Sequence, residues 1–154
     1  MVDVTAEIQI AAEPTDVASV MFDPEREPEW IAIVKRVELI DRALRPGARV
    51  RRSGTIVGHE FQWTTEVSAF HFPHLLTLRV VDGPFPGELT YQIQRDGRGS
   101  VARIRSRGET ADAGLSSAMI EGPLRTALDA DLGRLKSIVE GTSSGPPGGR
   151  KDRI

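Results

Sequence analysis

Residue types that could perform chemistry are few in this sequence. The chain contains no cysteine, so it can hold neither a thiol nucleophile nor a thiolate metal site. Its only histidines are His59, His71 and His74, and the two hairpin turns that hold them would lie at opposite ends of one strand. No serine lies in the strand-to-helix elbow of a hydrolase. Arg52 and Tyr91 remain as candidate catalytic residues, and we expect neither a metal nor another cofactor.

The residues around Gly58-His59 predict where Arg52 points. A two-residue turn there would place Arg52 opposite Thr65, on the face that the alternating apolar residues give to the core. A buried guanidinium is costly unless it is paired, which makes Arg52 a candidate for holding a carboxylate or carbonyl of a ligand. The alternative is that Arg52 lies near an open end of the sheet and extends to water. The same turn predicts three further pairs: Ile56 with Phe61, Gly54 with Trp63, and Val50 with Val67.

Two other turns, at Phe72-Pro73 and at residues 96–99, predict the same division of the sheet into two faces. One face is apolar and concave, and glycine opposite Trp63 leaves space there in which a flat ligand could stack on the indole. The other face is charged and convex, with Arg51, Glu66 and Arg79 in a row across three strands. The predicted pairs are Phe70 with Leu75, Val67 with Leu78, Glu66 with Arg79, Tyr91 with Ile104, Ile93 with Ala102, and Glu88 with Arg107.

The elements that must position these residues follow from periodicity and turn signals. A strand is predicted at 5–10, and short helices open at Glu13-Pro14 and Asp23-Pro24. Alternation between residues 34 and 110 predicts six antiparallel strands. Helical leucine spacing predicts one long helix over 115–140, with a kink or break near Gly122 because Pro123 removes a backbone donor.

Length and composition limit the classes of protein. The 154 residues, 39% of them apolar, predict one domain over 1–140 and a flexible Gly/Pro/Ser-rich tail over 141–154. Without a signal peptide or a run of about 20 apolar residues, we expect a cytoplasmic protein with no stable membrane anchoring. Arginine outnumbers lysine, which favours a bacterial source. Nucleic-acid binding is not expected, because the net charge is −2 and no aromatic residues interleave with the arginines of 95–107.

Several short motifs follow one another in a defined order. They are Asp23-Pro24 followed by Pro28-Glu29-Trp30, the Pro46-Gly47 turn, Phe72-Pro73 before a leucine-rich strand, and Asp131-Leu132-Gly133-Arg134-Leu135-Lys136 ahead of Glu140. With this order and spacing, residues 4–140 resemble the START-type SRPBCC superfamily, in particular its polyketide cyclase/dehydrase and lipid-transport group. The resemblance implies an α+β helix-grip fold. In that fold, two short helices follow the first strand, and a curved antiparallel sheet of six to seven strands wraps a long C-terminal helix.

The resemblance also implies a hydrophobic pocket between helix and sheet, and three functions stay open. The first is binding of a lipid-like or aromatic polyketide-like small molecule. The second is an aromatase/cyclase or dehydratase in which Arg52 polarises a carbonyl and Tyr91 transfers a proton. The third is a protein-interaction module with a filled core, and both a monomer and a homodimer are compatible with the sequence. The expected pocket residues are Trp30, Val50, Arg52, Gly54, Ile56, Phe61, Trp63, Thr65, Leu78, Tyr91, Ile104, Met119 and Pro123.

Overall fold

One antiparallel sheet and one long helix dominate the computed structural model, which describes residues 1–109 and 117–143. Seven strands form the sheet in the order β1-β7-β6-β5-β4-β3-β2, and α3 packs against it with most of its contacts on β1. This is the predicted helix-grip arrangement, which is therefore confirmed. The elements are β1 (Val2–Ile10), α1 (Pro14–Met21), a 3-10 turn (Pro24–Arg26), α2 (Glu27–Trp30), β2 (Val34–Leu39), β3 (Arg49–Ile56), β4 (His59–His71), β5 (Leu75–Asp82), β6 (Glu88–Asp96), β7 (Gly99–Gly108) and α3 (Ser117–Ser143).

The helices begin where the sequence signals them. Pro14 opens α1, and the Asp23 side chain caps the 3-10 turn by accepting a hydrogen bond from the backbone N–H of Glu25. Helix α3 is continuous through Pro123, so of the predicted kink or break near Gly122, the break is wrong. It extends to Ser143, three residues into the predicted tail of 141–154. The start of the predicted helix at 115 and residues 144–154 lie outside the described residues.

The predicted register is confirmed across β6 and β7, where Tyr91 faces Ile104. Across β4 and β5, Val67 faces Leu78 and Glu66 faces Arg79, also as predicted. The pairing of Phe70 with Leu75 is wrong: an irregularity between Val67 and Ala69 shifts the register, and Phe70 faces Leu76. An extra residue in one strand moves every later pair, and hydrophobic alternation alone does not reveal it.

The turn between β3 and β4 lies one residue earlier than predicted, at Val57-Gly58 instead of Gly58-His59. Both turn residues have positive φ, 49° and 79°, which is the pattern of a two-residue hairpin turn whose twist matches the strands. Each residue of β3 therefore pairs two positions earlier on β4 than expected. Side chains alternate with a period of two, so the shift changes partners but keeps each residue on its predicted face. The observed pairs are Ile56 with His59, Gly54 with Phe61, Arg52 with Trp63, and Val50 with Thr65.

The same shift corrects the charged row on the outer face. Glu66 pairs with Arg79 at 2.8 Å as expected, but its second partner is Arg49 at 3.5 Å. Arg51 instead pairs with Glu38 of β2 at 2.9 Å. The prediction that Arg51 joins Glu66 and Arg79 in one row is therefore wrong.

Burial is uneven along the inner face of the sheet. The end formed by the first half of β5, the second half of β6 and the first half of β7 is closed, and the C-terminal half of α3 covers it. At the opposite end, inward-facing residues of β4, β5 and β6 are only half-buried, as are those in the first three turns of α3. The closed-end residues include Leu76, Ile93, Ala102, Leu132, Leu135 and Val139, and the open-end residues are Phe61, Trp63, Val80, Leu89, Ile120 and Leu124.

The free edge of β1 is bound along its length by polar side chains of α3. Near the start of the helix, Glu121 accepts a hydrogen bond from the backbone N–H of Asp3 at 3.0 Å, and Arg125 donates to the Thr5 carbonyl at 2.8 Å. Near its end, Lys136 donates to the Gln9 carbonyl at 2.9 Å, and Glu140 accepts from the N–H of Ala11 at 2.9 Å. These contacts occupy backbone groups that an edge strand would otherwise present to other chains, and they fix α3 over the sheet.

Candidate functional site

A buried ion pair lies at the centre of the inner face. The Glu27 carboxylate accepts hydrogen bonds from Nε and Nη2 of Arg52 at 2.6 and 2.7 Å, and Nη1 of Arg52 donates to the Thr65 hydroxyl at 2.6 Å. Both charged side chains are less than 5% exposed. Burial opposes the guanidinium charge, but the charge and hydrogen bonds of Glu27 outweigh burial, and the pKa of Arg52 lies above its usual value.

The short helix α2 directs the Glu27 carboxylate toward Arg52. Glu27 and Trp30 are the first and last residues of the single turn α2, and a spacing of three residues puts both on its inward face. Arg26 and Glu29 point outward and pair with each other at 2.8 Å. The prediction that Arg52 lies inward beside Thr65 is confirmed, but Glu27 already provides the carboxylate partner that a ligand was expected to provide.

Two aromatic residues adjoin this ion pair. The rings of Tyr91 and Trp30 meet edge to face with their centroids 6.0 Å apart, and both residues are buried. Burial raises the pKa of Tyr91 far above its usual value, and the negative charge of Glu27 raises it further, so the phenol stays protonated. Within the described part of the chain, the buried indole Nε1–H of Trp30 has no hydrogen-bond acceptor.

Helix α3 holds the segment after α2 in place. Arg134 donates to the Trp30 carbonyl at 3.0 Å, and the Asp131 carboxylate accepts from the Ala32 backbone N–H at 3.2 Å. Asp131 and Arg134 also pair with each other. Burial raises the pKa of Asp131, although the Ala32 N–H and Arg134 oppose that effect. The Asp-Leu-Gly-Arg motif of α3 therefore positions the wall that carries Trp30 and Glu27.

An aromatic cluster occupies the open end. Phe61 and Trp63 stack with ring centroids 4.9 Å apart, and Phe85 meets Phe61 edge to face at 5.7 Å. Phe85 is 58% exposed. Gly83 touches the Trp63 backbone so closely that a Cβ there would lie 2.6 Å from the Cβ of Trp63. The cluster thus offers flat apolar surface at the open end of the inner face.

Gly54 was expected to leave space for a ligand, but it allows a neighbouring backbone segment to approach closely. A Cβ at this position would lie 1.7 Å from the backbone oxygen of Ile33, so that carbonyl occupies the space expected to lie open for a ligand over Trp63. Glycine is required here for the close approach of the segment that leads into β2. The expectation of a gap created by Gly54 is therefore wrong.

The remaining expected pocket residues fall into three groups. Val50, Leu78 and Ile104 are buried on the inner face. Met119 and Pro123 lie exposed on α3, with Met119 61% exposed. The backbone of Ile56 ends β3, and its side chain lies outside the described set.

The described residues hold neither a cluster of metal ligands nor a membrane-spanning helix. In residues 1–109 and 117–143, no group of three or more His, Asp or Glu residues converges as a metal ion would require. Within the same ranges, no helix has the length and apolar character to span a bilayer.

Similar proteins share this architecture. TTHA0849 from Thermus thermophilus is 20% identical, with coverage of 92% of this chain and 99% of that chain and a TM-score of 0.77. A START superfamily protein from Mycobacterium smegmatis is 18% identical, with coverage of 91% and 98% and a TM-score of 0.76. The Zhui aromatase/cyclase from Streptomyces sp. R1128 is 17% identical, with coverage of 92% and 94% and a TM-score of 0.70. At these identities the likeness establishes the fold.

Sequence comparison identifies the family. No curated protein sequence matches the chain. The profile of the family described as polyketide cyclase / dehydrase and lipid transport matches residues 1–140, which include the ion pair, the aromatic cluster and nearly all of α3. The chain therefore belongs to the polyketide cyclase/dehydrase and lipid-transport family and has the START-like ligand-binding fold.

Proposed function

We propose that this protein binds a hydrophobic small molecule, lipid-like or aromatic polyketide-like, in the groove between the open end of the sheet and the N-terminal half of α3. The observation that carries this proposal is the stacked pair Phe61 and Trp63 with the exposed Phe85 beside it. Large aromatic rings left half-exposed on an inward-facing surface provide area for a flat or aliphatic ligand.

The polar groups at the centre of the groove support binding over catalysis. All three guanidinium nitrogens of Arg52 already donate to Glu27 or Thr65. A carbonyl group of a substrate would therefore meet a guanidinium whose charge Glu27 already neutralises, which weakens its polarising effect. Tyr91 is a neutral phenol whose raised pKa makes proton release unfavourable. The expected catalytic roles of Arg52 and Tyr91 are thus weakened by their surroundings.

A cyclase or dehydratase is the second candidate. The observation that favours it is the buried Nε1–H of Trp30, which has no acceptor among the described residues and lies in the same buried layer as Tyr91. Such a donor could receive a ligand carbonyl at the inner end of the groove. Conversion of a poly-β-keto thioester to a cyclised product, lost in Tyr91→Phe, would favour this function.

Tryptophan fluorescence tests the proposal. Dodecanoic acid and 2-naphthol serve as aliphatic and aromatic probes, and we expect a saturable change for at least one of them. Trp63→Phe should remove that change, because the other indole, Trp30, is fully buried away from the mouth. Phe61→Ala should weaken binding by roughly threefold to tenfold, as expected from the loss of one aromatic stack.

Phe72→Ala is the matched control. Phe72 is also half-exposed, at 51%, but it follows the opposite end of β4 and contacts Phe22 and Phe70. Its truncation should leave probe affinity unchanged. Equal losses in both phenylalanine variants, or no saturable response to either probe, would contradict the proposed groove and favour an interaction module with a filled core.

A further inference from the structure

The outer face of the sheet, on the side away from α3, carries a polar recess of about 510 Å³. The register explains its shape: Thr5 on β1, Arg105 on β7 and Thr90 on β6 form one straight row across three strands. Short threonine side chains on both sides of a long arginine leave a depression. The recess is lined by Asp3, Thr5, Thr90, Gln92, Arg103, Arg105 and Arg125.

Positive charge exceeds negative charge among the side chains that line this recess. Arg105 makes two hydrogen bonds to Asp3, at 2.8 and 2.9 Å, which neutralises one guanidinium. Arg103 contacts Glu7 only at 3.4 Å, and Arg125 reaches over the edge of β1 to a backbone carbonyl, which carries no charge. Among the described residues, three arginines and one carboxylate line the recess, and Glu7 beside it pairs with Arg103, so Arg125 is the guanidinium that no carboxylate neutralises.

Hydrogen-bonding groups without intramolecular partners surround this charge. Among the described residues, no hydrogen bond engages the hydroxyls of Thr5 and Thr90 or the side-chain amide of Gln92. Arginine guanidinium groups combined with hydroxyl and amide donors are the groups that recognise phosphoryl oxygens. In the part of the chain that the structure describes, no aromatic side chain lines the recess, so these residues offer no surface on which a nucleobase could stack.

We propose that this recess is a second binding site, separate from the apolar groove, for a small non-aromatic phosphorylated ligand. Arg103 and Arg125 contact the phosphoryl group, while Arg105 is held in place by Asp3. The threonine hydroxyls and Gln92 bind the remaining oxygens. The site lies on the opposite face of the sheet from Trp63 and does not depend on what the apolar groove binds.

Isothermal titration with inorganic pyrophosphate and with glucose 6-phosphate, in 50 mM salt, tests this site. We expect saturable binding of one molecule, no binding of glucose, and a loss of at least tenfold in affinity in the double variant Arg103→Gln/Arg125→Gln. The double variant Arg51→Gln/Arg79→Gln is the control, because it removes the same charge from the outer face outside the recess. Its affinity should stay within about twofold of the wild type.

A second variant distinguishes a loss of binding from a loss of folding. Thr90→Glu places a negative charge beside Arg105 and removes no arginine, so it should abolish pyrophosphate binding while circular dichroism stays unchanged. Pyrophosphate should also leave Trp63 fluorescence unaltered, which separates this site from the apolar groove. Equal losses in the two arginine double variants would reveal a general ionic attraction, and that result, or the absence of saturable binding, would overturn the proposal.

Discussion

The buried pair of Glu27 and Arg52 should be strongly coupled in stability. Methionine at either position keeps much of the stem volume but leaves the other charge buried with no charged partner. Breaking a buried pair in this way costs about 3–5 kcal/mol, so each single variant should lose about that much free energy of unfolding. The double variant Glu27→Met/Arg52→Met leaves neither charge, only an unpaired Thr65 hydroxyl, and should lie within about 2 kcal/mol of the wild type.

Urea denaturation at pH 7, followed by far-ultraviolet circular dichroism, measures the four species of this double-mutant cycle. The exposed pair Arg26 and Glu29 gives a matched control on the same short segment, with an expected coupling of only about 0.2–1 kcal/mol. If the Glu27 and Arg52 losses simply add, or if either single variant costs less than about 1 kcal/mol, the pair is not the buried unit described above.

Three further predictions test other parts of the structure. Gly54→Ala should cost more than about 3 kcal/mol, because its Cβ would overlap the Ile33 carbonyl. Gly133→Ala in α3 is the contrast: no proline follows it and a Cβ there meets nothing within 4 Å, so thermal unfolding should show a gain of about 0.5–1 kcal/mol. Asp131→Ala should lose about 1–3 kcal/mol by leaving the Ala32 N–H without its acceptor, and Asp131→Asn, which keeps an acceptor oxygen, should lose less than about 1 kcal/mol. Because the folded-state pKa of Asp131 is raised, the wild type binds more protons folded than unfolded, and its stability relative to Asp131→Asn should fall as pH rises above about 4; a rise would contradict the burial argument.

Much of the sheet was predictable because strand faces repeat every second residue. Arg52, Thr65 and Tyr91 lie on the inner face as the alternation indicated, even though the turn at Val57-Gly58 moved the partners of Arg52 by two positions. The position of a two-residue turn depends on which residues adopt positive φ. Val57 does so here, although valine is not a residue type that indicates such a turn. The pattern therefore predicts faces more reliably than partners.

The partner of Arg52 was harder to predict than its orientation. Glu27 lies 25 positions away on a one-turn helix, and neither periodicity nor a hairpin connects the two residues. One signal was available: Glu27 and Trp30 share a face of that turn, and a buried arginine demands a nearby carboxylate. The role of Gly54 was hard to predict for a similar reason. The group that contacts it is the backbone carbonyl of Ile33, in a segment that no hairpin connects to β3.

The contacts between α3 and the free edge of β1 restrict how a ligand can reach the groove. If α3 swung away as a lid, the backbone groups of Asp3, Thr5 and Gln9 would lose their partners together, and an open strand edge would face other molecules. Under the proposed function, a ligand therefore enters and leaves with the helix in place, past the exposed Phe85 at the open end of the sheet. That route keeps the edge of β1 covered, so ligand exchange would expose no strand to pairing between copies of the chain.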